Sequence, residues 1–200
     1  MFAWFFLSAL YMQLVLGYDA MQVGLAFLPS NLIMAGCSLG LSAWVVMRFG
    51  ICRTLGWGLL LAAVGLALFA LAPTEGRFVI HVLPGMLLLG VGAGIALNPL
   101  LLAAMGDVKP EDSGLASGVV NTAFMMGGAL GLAILASLAD ARTDHLRQTG
   151  ASVQQALDAG YQLAFWVSAL CALVAAGLGG FVLRPASPPS AAAPSHPGAV

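Results

Sequence analysis

Few side chains in this sequence are equipped for chemistry, and those few interrupt long aliphatic runs. Tyr11 and Gln13, Asn31, Asn98, and Asn121 with Thr122 are the polar groups inside such runs. An amide or hydroxyl moved into hydrocarbon loses free energy unless it finds a partner. Each of these groups therefore either ties neighbouring helices together or faces a watery cavity. Taken singly, the tie is the slightly better account; as a set spread over four apolar segments, a shared polar cavity is the better one. Phe124, Met125 and Met126 are plausible flexible lining for varied apolar ligands. No HExxH, GxSxG or phosphate-cradling loop occurs. The run Gly90-Val91-Gly92-Ala93-Gly94 lies inside an apolar segment with no strand before it, so it is no dinucleotide loop. No enzymatic activity and no cofactor is expected. Cys37, Cys52 and Cys171 stand singly without metal-ligand spacing and read as small buried apolar residues.

The acidic residues are informative by position. All eight fall in expected loops or at the ends of apolar segments. Proton coupling normally needs a carboxylate or histidine within the membrane, because protonation there changes the cost of burial. Asp107 and His81 come nearest, both close to segment ends, and His81 reads as an interfacial residue. Any proton-coupling group is expected elsewhere.

The elements that must position these groups follow from composition. Of 200 residues 60% are hydrophobic and 8% charged, against roughly 25% charged in a soluble domain. Mean hydropathy is +0.98. So few charges cannot cover a soluble surface, whereas lipid makes them unnecessary. The net charge of -1 offers no basic patch for nucleic acid. A bilayer core of about 30 Å takes roughly 20 apolar residues per helix. On that ruler the chain divides into six spans: Phe2 to Leu16, Val23 to Met47, Thr54 to Ala72, Val79 to Met105, Ser113 to Leu138, and Tyr161 to Leu183. The expected fold is an all-α integral membrane bundle in the lipid bilayer over residues 1–183. Met1 to Leu16 lacks a basic start and a cleavage site, so it reads as an uncleaved helix rather than a signal peptide.

Gly17-Tyr18-Asp19, Arg48 through Arg53, Pro73 through Arg77 and Asp107 through Asp112 mark the turns. Asp140 to Asp158 is the longest polar connection, with room for a short surface helix. Residues 184–200, almost wholly Pro, Ala, Ser and Gly after Arg184, form a tail expected to be disordered. Loop charges put Arg48, Arg53, Lys109 and Arg184 on one side and Arg77, Arg142 and Arg147 on the other. By the positive-inside rule both termini are expected in the cytoplasm, with the chain multi-pass in the cell (inner or plasma) membrane.

Glycine pairs at four-residue spacing recur at Gly36/Gly40, Gly90/Gly94, Gly114/Gly118 and Gly127/Gly131. Lipid supplies little hydrophobic drive between helices, so such pairs predict close helix packing. Pro29, Pro84 and Pro99 lie within or near the ends of the second and fourth spans. They read as structural kinks or as hinges of a segment lining a path. Asn98-Pro99 is the more suggestive, since an amide stands beside a carbonyl that the proline leaves free.

The segments Phe5-Phe6-Leu7, Tyr11 through Tyr18, and Gly24-Leu25-Ala26-Phe27-Leu28-Pro29 resemble the start of the C-terminal half of a major facilitator superfamily transporter. Leu83-Pro84-Gly85 leading into Gly90 through Gly94 is similar to its next glycine-rich helix. Pro110 through Gly118, Asn121-Thr122 and Gly127 through Gly131 match in the same order. The closest branch is the fourteen-helix drug:proton antiporters. The resemblance covers residues 2–183 and implies a six-helix half-bundle facing a matching N-terminal bundle across a substrate path. It implies export of amphipathic small molecules in exchange for protons, by rocking of the two bundles. The loop carrying Arg48, Gly50 and Arg53 resembles the family's gate, but Met47 stands where an acid belongs. A complete member has twelve or fourteen helices, so the chain is expected to be incomplete alone. Two other assemblies remain open: a partner half-bundle pairing with a separate N-terminal half, or a homo-oligomeric six-helix carrier or channel.

Overall fold

The computed structural model describes residues 2–71, 82–106 and 108–181, and these are helical throughout apart from short connections. The expected Pro73–Arg77 turn, His81, Asp107 and the tail lie outside the described residues. The helices are α1 (Phe2–Leu14), α2 (Ala20–Gly36), α3 (Ser42–Phe49), α4 (Ile51–Ala70), α5 (Leu83–Met105), α6 (Ser113–Gln148) and α7 (Val153–Phe181). A π-helical segment, Cys37–Leu41, joins α2 to α3 without a break, so together they make one span. Five of the six spans are long and apolar enough to cross a membrane, while α1 is a shorter apolar helix.

The local signals account for the boundaries. Asp19 caps α2: its Oδ1 accepts from Ala20 N at 2.8 Å, and its own N–H donates to Gln22 Oε1 at 3.1 Å. That reciprocal pair satisfies donors that a helix start leaves orphaned. Gly50, at φ 82, turns α3 into α4 through backbone space that a side chain would strain. The Asp140–Asp158 piece departs from expectation. Helix α6 continues to Gln148 and α7 begins at Val153, so a short turn replaces the polar connection. At 36 residues and a rise of about 1.5 Å each, α6 is far longer than the bilayer core is thick. Its last turns, with Asp140, Arg142, Asp144 and Arg147, continue past the apolar stretch and pair with the start of α7. Gly160 of α7 abuts Thr143 Oγ1, and a methyl placed on it would lie 2.6 Å from the Ala139 carbonyl.

Helices α4 and α5 pack closely and antiparallel, through glycines seven apart rather than four. A methyl on Gly92 would sit 2.6 Å from the Gly58 carbonyl oxygen and 2.7 Å from Ala62 N. One on Gly65 would sit 2.9 Å from the Gly85 carbonyl. Seven residues are two helical turns, so both contacts fall on one face. Of the four expected pairs, only Gly90/Gly94 packs this way. Among the described residues Gly36, Gly40, Gly114, Gly118, Gly127 and Gly131 have no neighbour within 4 Å of an added methyl, which corrects their reading as contacts within the described bundle. They lie on α6 and on the continuous helix α2–α3, two spans with little of their surface buried in the chain.

The core lies where α1, α4, α5 and α7 converge, with Leu7, Met12, Phe69, Met86 and Phe165 fully enclosed. Phe69 and Phe165 stack at 5.1 Å between ring centroids. Beside the first turn of α1 a gap of about 410 Å³ remains, bordered by Trp4, whose buried indole N–H has no hydrogen-bond partner among the described residues. The cysteines correct another expectation: Cys37 and Cys52 are half-buried and Cys171 is exposed on α7. A surface facing hydrocarbon does not penalise a thiol there.

Overpacking of a tight contact costs about 1–3 kcal/mol, whereas changes at open surface positions fall within about 0.5 kcal/mol. Gly92→Ala is therefore expected to destabilise the chain by about 1–3 kcal/mol and Gly118→Ala to leave it unchanged. Reversible unfolding in mixed detergent micelles, followed by circular dichroism, checks both.

Candidate functional site

The polar groups concentrate where α2 and α3 cross α5. On α5, Gly90, Gly94 and Asn98 recur every four residues and share a face. On the other side Ser30, Met34, Ser38 and Ser42 recur at the same interval. A methyl on Gly90 would lie 2.7 Å from the Ser30 carbonyl oxygen, and one on Gly94 2.6 Å from that of Met34. One step further along, the amide replaces the glycine. Asn98 Nδ2 donates to the Ser38 carbonyl at 2.8 Å and to Ser38 Oγ at 3.1 Å.

Pro99 explains the next link. Proline has no N–H, so the carbonyl four residues earlier, that of Ile95, loses its helical donor. The Ser42 hydroxyl, fully buried, donates to that oxygen at 3.3 Å. The free carbonyl expected beside Asn98-Pro99 thus exists, and a neighbouring helix occupies it. Ser38 lies within the π-helical segment, whose wider turn is closed by Ser42 N–H donating to the Cys37 carbonyl. Such one-turn insertions often mark functional positions, because they re-aim the residues that follow. Pro29 also sits inside its helix, whereas Pro84 occupies the first turn of α5. There a missing N–H breaks no bond, so Pro84 is a helix start rather than a hinge.

Beyond Asn98 the two helices part. A groove of about 610 Å³ opens between α3 and the second half of α5, with Asn98 at its apex and Ala43, Val46, Met47, Leu102 and Met105 along its walls. Its size is that of an ordinary small-molecule site.

The other expected residues are distributed differently. Tyr11 is 1% exposed, its ring edge-on to Tyr161 and Phe165 at 6.2 Å. It belongs to the core rather than to an open path. Gln13, Asn31, Asn121 and Thr122 lie on exposed faces, Met125 is half-exposed, and Thr122 Oγ1 donates to its own helix at Gly118 O, 2.8 Å away. The six polar residues therefore do not meet in one cavity within this chain. Arg48 and Arg53 are exposed around Gly50, and the Arg48 guanidinium stands 5.4 Å over the Trp44 ring. An exposed pairing of this kind holds a cation at an interface without an acid.

Sequence reasoning missed two groups. Ser38 and Ser42 became visible only once the glycine face of α5 was opposed to them. Asp158, expected in a loop, is 5% exposed in α7 beside Tyr11, its Oδ2 accepting from Gln162 Nε2 at 3.0 Å. The helical period of Ala156, Tyr161, Ala164 and Phe165, all buried, was the signal that α7 starts before Asp158.

The family model of the major facilitator superfamily matches residues 1–132. The chain belongs to the major facilitator superfamily. It is 34% identical over 140 residues to a cephamycin export protein of Amycolatopsis lactamdurans, covering 70% of this chain and 29% of that protein. It is 35% identical over 145 residues to a puromycin resistance protein of Streptomyces alboniger, covering 72% and 29%. A lincomycin resistance protein of Streptomyces lincolnensis matches at 34% over 135 residues, 67% and 27%. The chain thus spans about three-tenths of the length of these relatives. As a superfamily member it is a multi-pass membrane protein of a transporter family.

Interhelical hydrogen bonds in membranes are worth about 0.6 kcal/mol on average. Ser42→Ala is expected to cost about that much in the native chain, and close to nothing after Pro99→Ala, which restores the helical donor to Ile95 O. A double-mutant cycle on unfolding free energies in detergent measures the coupling.

Proposed function

We propose that this chain is the C-terminal half of a multidrug-type efflux permease, exporting amphipathic small molecules in exchange for protons once paired with a matching N-terminal bundle. The observation that carries this reading is the pair of uncovered small-residue faces. Gly36 and Gly40 on the α2–α3 span, and Gly114, Gly118 and Gly127 on α6, leave room that nothing among the described residues fills. In lipid, backbone approach at small residues is what packs helices together. A second bundle laid against these faces would fill them and would enclose Gln13, Asn31, Asn121, Thr122 and Met125 in the intervening path. Relatives more than twice as long, among them an export protein and two resistance proteins, support the same assembly.

In this reading residues 1–183 form the membrane bundle and 184–200 a tail, with both termini cytoplasmic and the protein in the cell's inner or plasma membrane. The gate loop holds Arg48, Gly50 and Arg53 without its acid, and Asp107 belongs to the other loop that this topology puts on the same side. Asp158 is the one buried carboxylate among the described residues, and it lies toward the end of the bundle opposite Arg48. The principal proton-binding group is accordingly assigned to the N-terminal half.

The test is accumulation of a fluorescent cationic dye in a strain lacking its own efflux pumps. The chain alone is compared with the chain joined to a matching N-terminal half, with and without an uncoupler. Only the joined form is expected to lower accumulation, by severalfold, and the uncoupler to abolish the effect. Export by the 200-residue chain alone would replace this reading with a homo-oligomeric carrier.

A further inference from the structure

The groove between α3 and α5 has features that the pairing of two half-bundles does not call on. It begins where close packing ends. Gly90 and Gly94 hold α5 against the backbone of α2, and the π-helical segment and Pro99 then turn the two helices apart. The walls beyond are aliphatic and sulfur-bearing: Ala43, Val46 and Met47 on one side, Leu101, Leu102 and Met105 on the other. Among the described residues no charged side chain lines it. The methionines supply polarizable surface that reshapes around ligands of different outline.

The apex is polar and chemically one-sided. Both hydrogen bonds of Asn98 use Nδ2 as donor, toward Ser38 O and Ser38 Oγ. Its Oδ1 is left as an acceptor in the half-buried apex of an apolar groove. Ser42, also at this end, has its hydroxyl proton directed to Ile95 O. The site therefore asks for a ligand with an apolar body and one hydrogen-bond donor, such as an ammonium or amide N–H. An acyl chain fills the walls but brings no donor and leaves Oδ1 unsatisfied.

We propose that the α3/α5 groove binds the apolar body of an amphipathic small molecule, with Asn98 Oδ1 accepting a hydrogen bond from its N–H group. This rests on the reading of the chain as part of an exporter of amphipathic compounds, and adds where in this half such a compound is held. Ser38 acts as a positioning residue, since its carbonyl and hydroxyl take both Asn98 donors and so turn the oxygen outward.

The test is direct binding to the full 200-residue chain in lipid nanodiscs, which is independent of export. Two probes of one fluorophore are titrated by anisotropy, one carrying a primary amine and the other its trimethylammonium counterpart, which has the same charge and no N–H. Ala43→Phe and Leu102→Phe, at exposed positions of the walls, are expected to weaken both probes at least fivefold by filling the groove. Asn98→Leu is expected to weaken the amine probe at least fivefold and the trimethylammonium probe less than twofold. Ser38→Ala, which keeps the acceptor, separates loss of Oδ1 from loss of the helix tie and is expected to change amine binding less than Asn98→Leu does. Unchanged affinity in both groove-filling variants would overturn the site. Equal loss of both probes in Asn98→Leu would overturn the hydrogen bond and leave Asn98 a structural tie. If dye export by the joined transporter persists in Ala43→Phe and Leu102→Phe, the exporter reading survives and the groove fails.

Discussion

Helices in hydrocarbon gain little by hiding apolar surface from one another, so their packing depends on how closely backbones approach. Here that approach is concentrated on α5, which meets α4 through Gly85 and Gly92 and α2 through Gly90 and Gly94. Two faces of one helix, two residues apart in phase, are stripped to hydrogen so that carbonyl oxygens of both neighbours come within van der Waals reach. Helix α5 is accordingly the most enclosed of the long spans, and the positions of α2, α4 and the groove all follow from it.

The same closeness makes the polar chemistry at the crossing possible. Once Gly90 and Gly94 bring α2 against α5, the next residue of the row, Asn98, reaches Ser38, and Ser42 reaches the carbonyl that Pro99 leaves without a donor. A proline inside a membrane helix exposes a backbone acceptor in a medium with no water to satisfy it, and a serine from a neighbouring helix is a common remedy. The irregularities on the two sides compensate one another. The π-helical turn delivers Ser38 and Ser42 to a face that the proline has opened, and the divergence of α3 from α5 beyond that point leaves the groove.

At the opposite end a different economy holds. The last turns of α6 and the first of α7 stand together through Gly160 and through Thr143, whose Oγ1 lies 2.8 Å from Ala139 O and 3.2 Å from Ala156 O. Gln154 Nε2 donates to Val15 O at 3.0 Å and fastens this hairpin to the end of α1. Asp158, Gln162 and Tyr11 continue the polar connection inward. This end is held by side-chain hydrogen bonds, whereas the α4–α5 contact is held by bare backbone.

The sequence by itself determined the medium, the all-helical class and the family, because these depend on composition and on local order. Sixty per cent apolar residues with few charges leave lipid as the only solvent, and Pro110 through Gly118 with Asn121-Thr122 carries a family pattern that a model over residues 1–132 bears out. Span limits were legible to within a few residues where a turn signal such as Gly17 or Gly50 was present. They failed at Asp140–Asp158, where polar residues belong to helices that outrun the bilayer. Which small residues are contacts could not be read from spacing alone. Gly114/Gly118 and Gly90/Gly94 look alike as strings, yet one pair meets no neighbour and the other meets Ser30 and Met34. Nor could the sequence separate Tyr11, which fills the core, from Asn121, which faces outward, since both are polar residues in apolar runs. Helix rotation and the choice of neighbours decide these points, and only the assembled bundle fixes them.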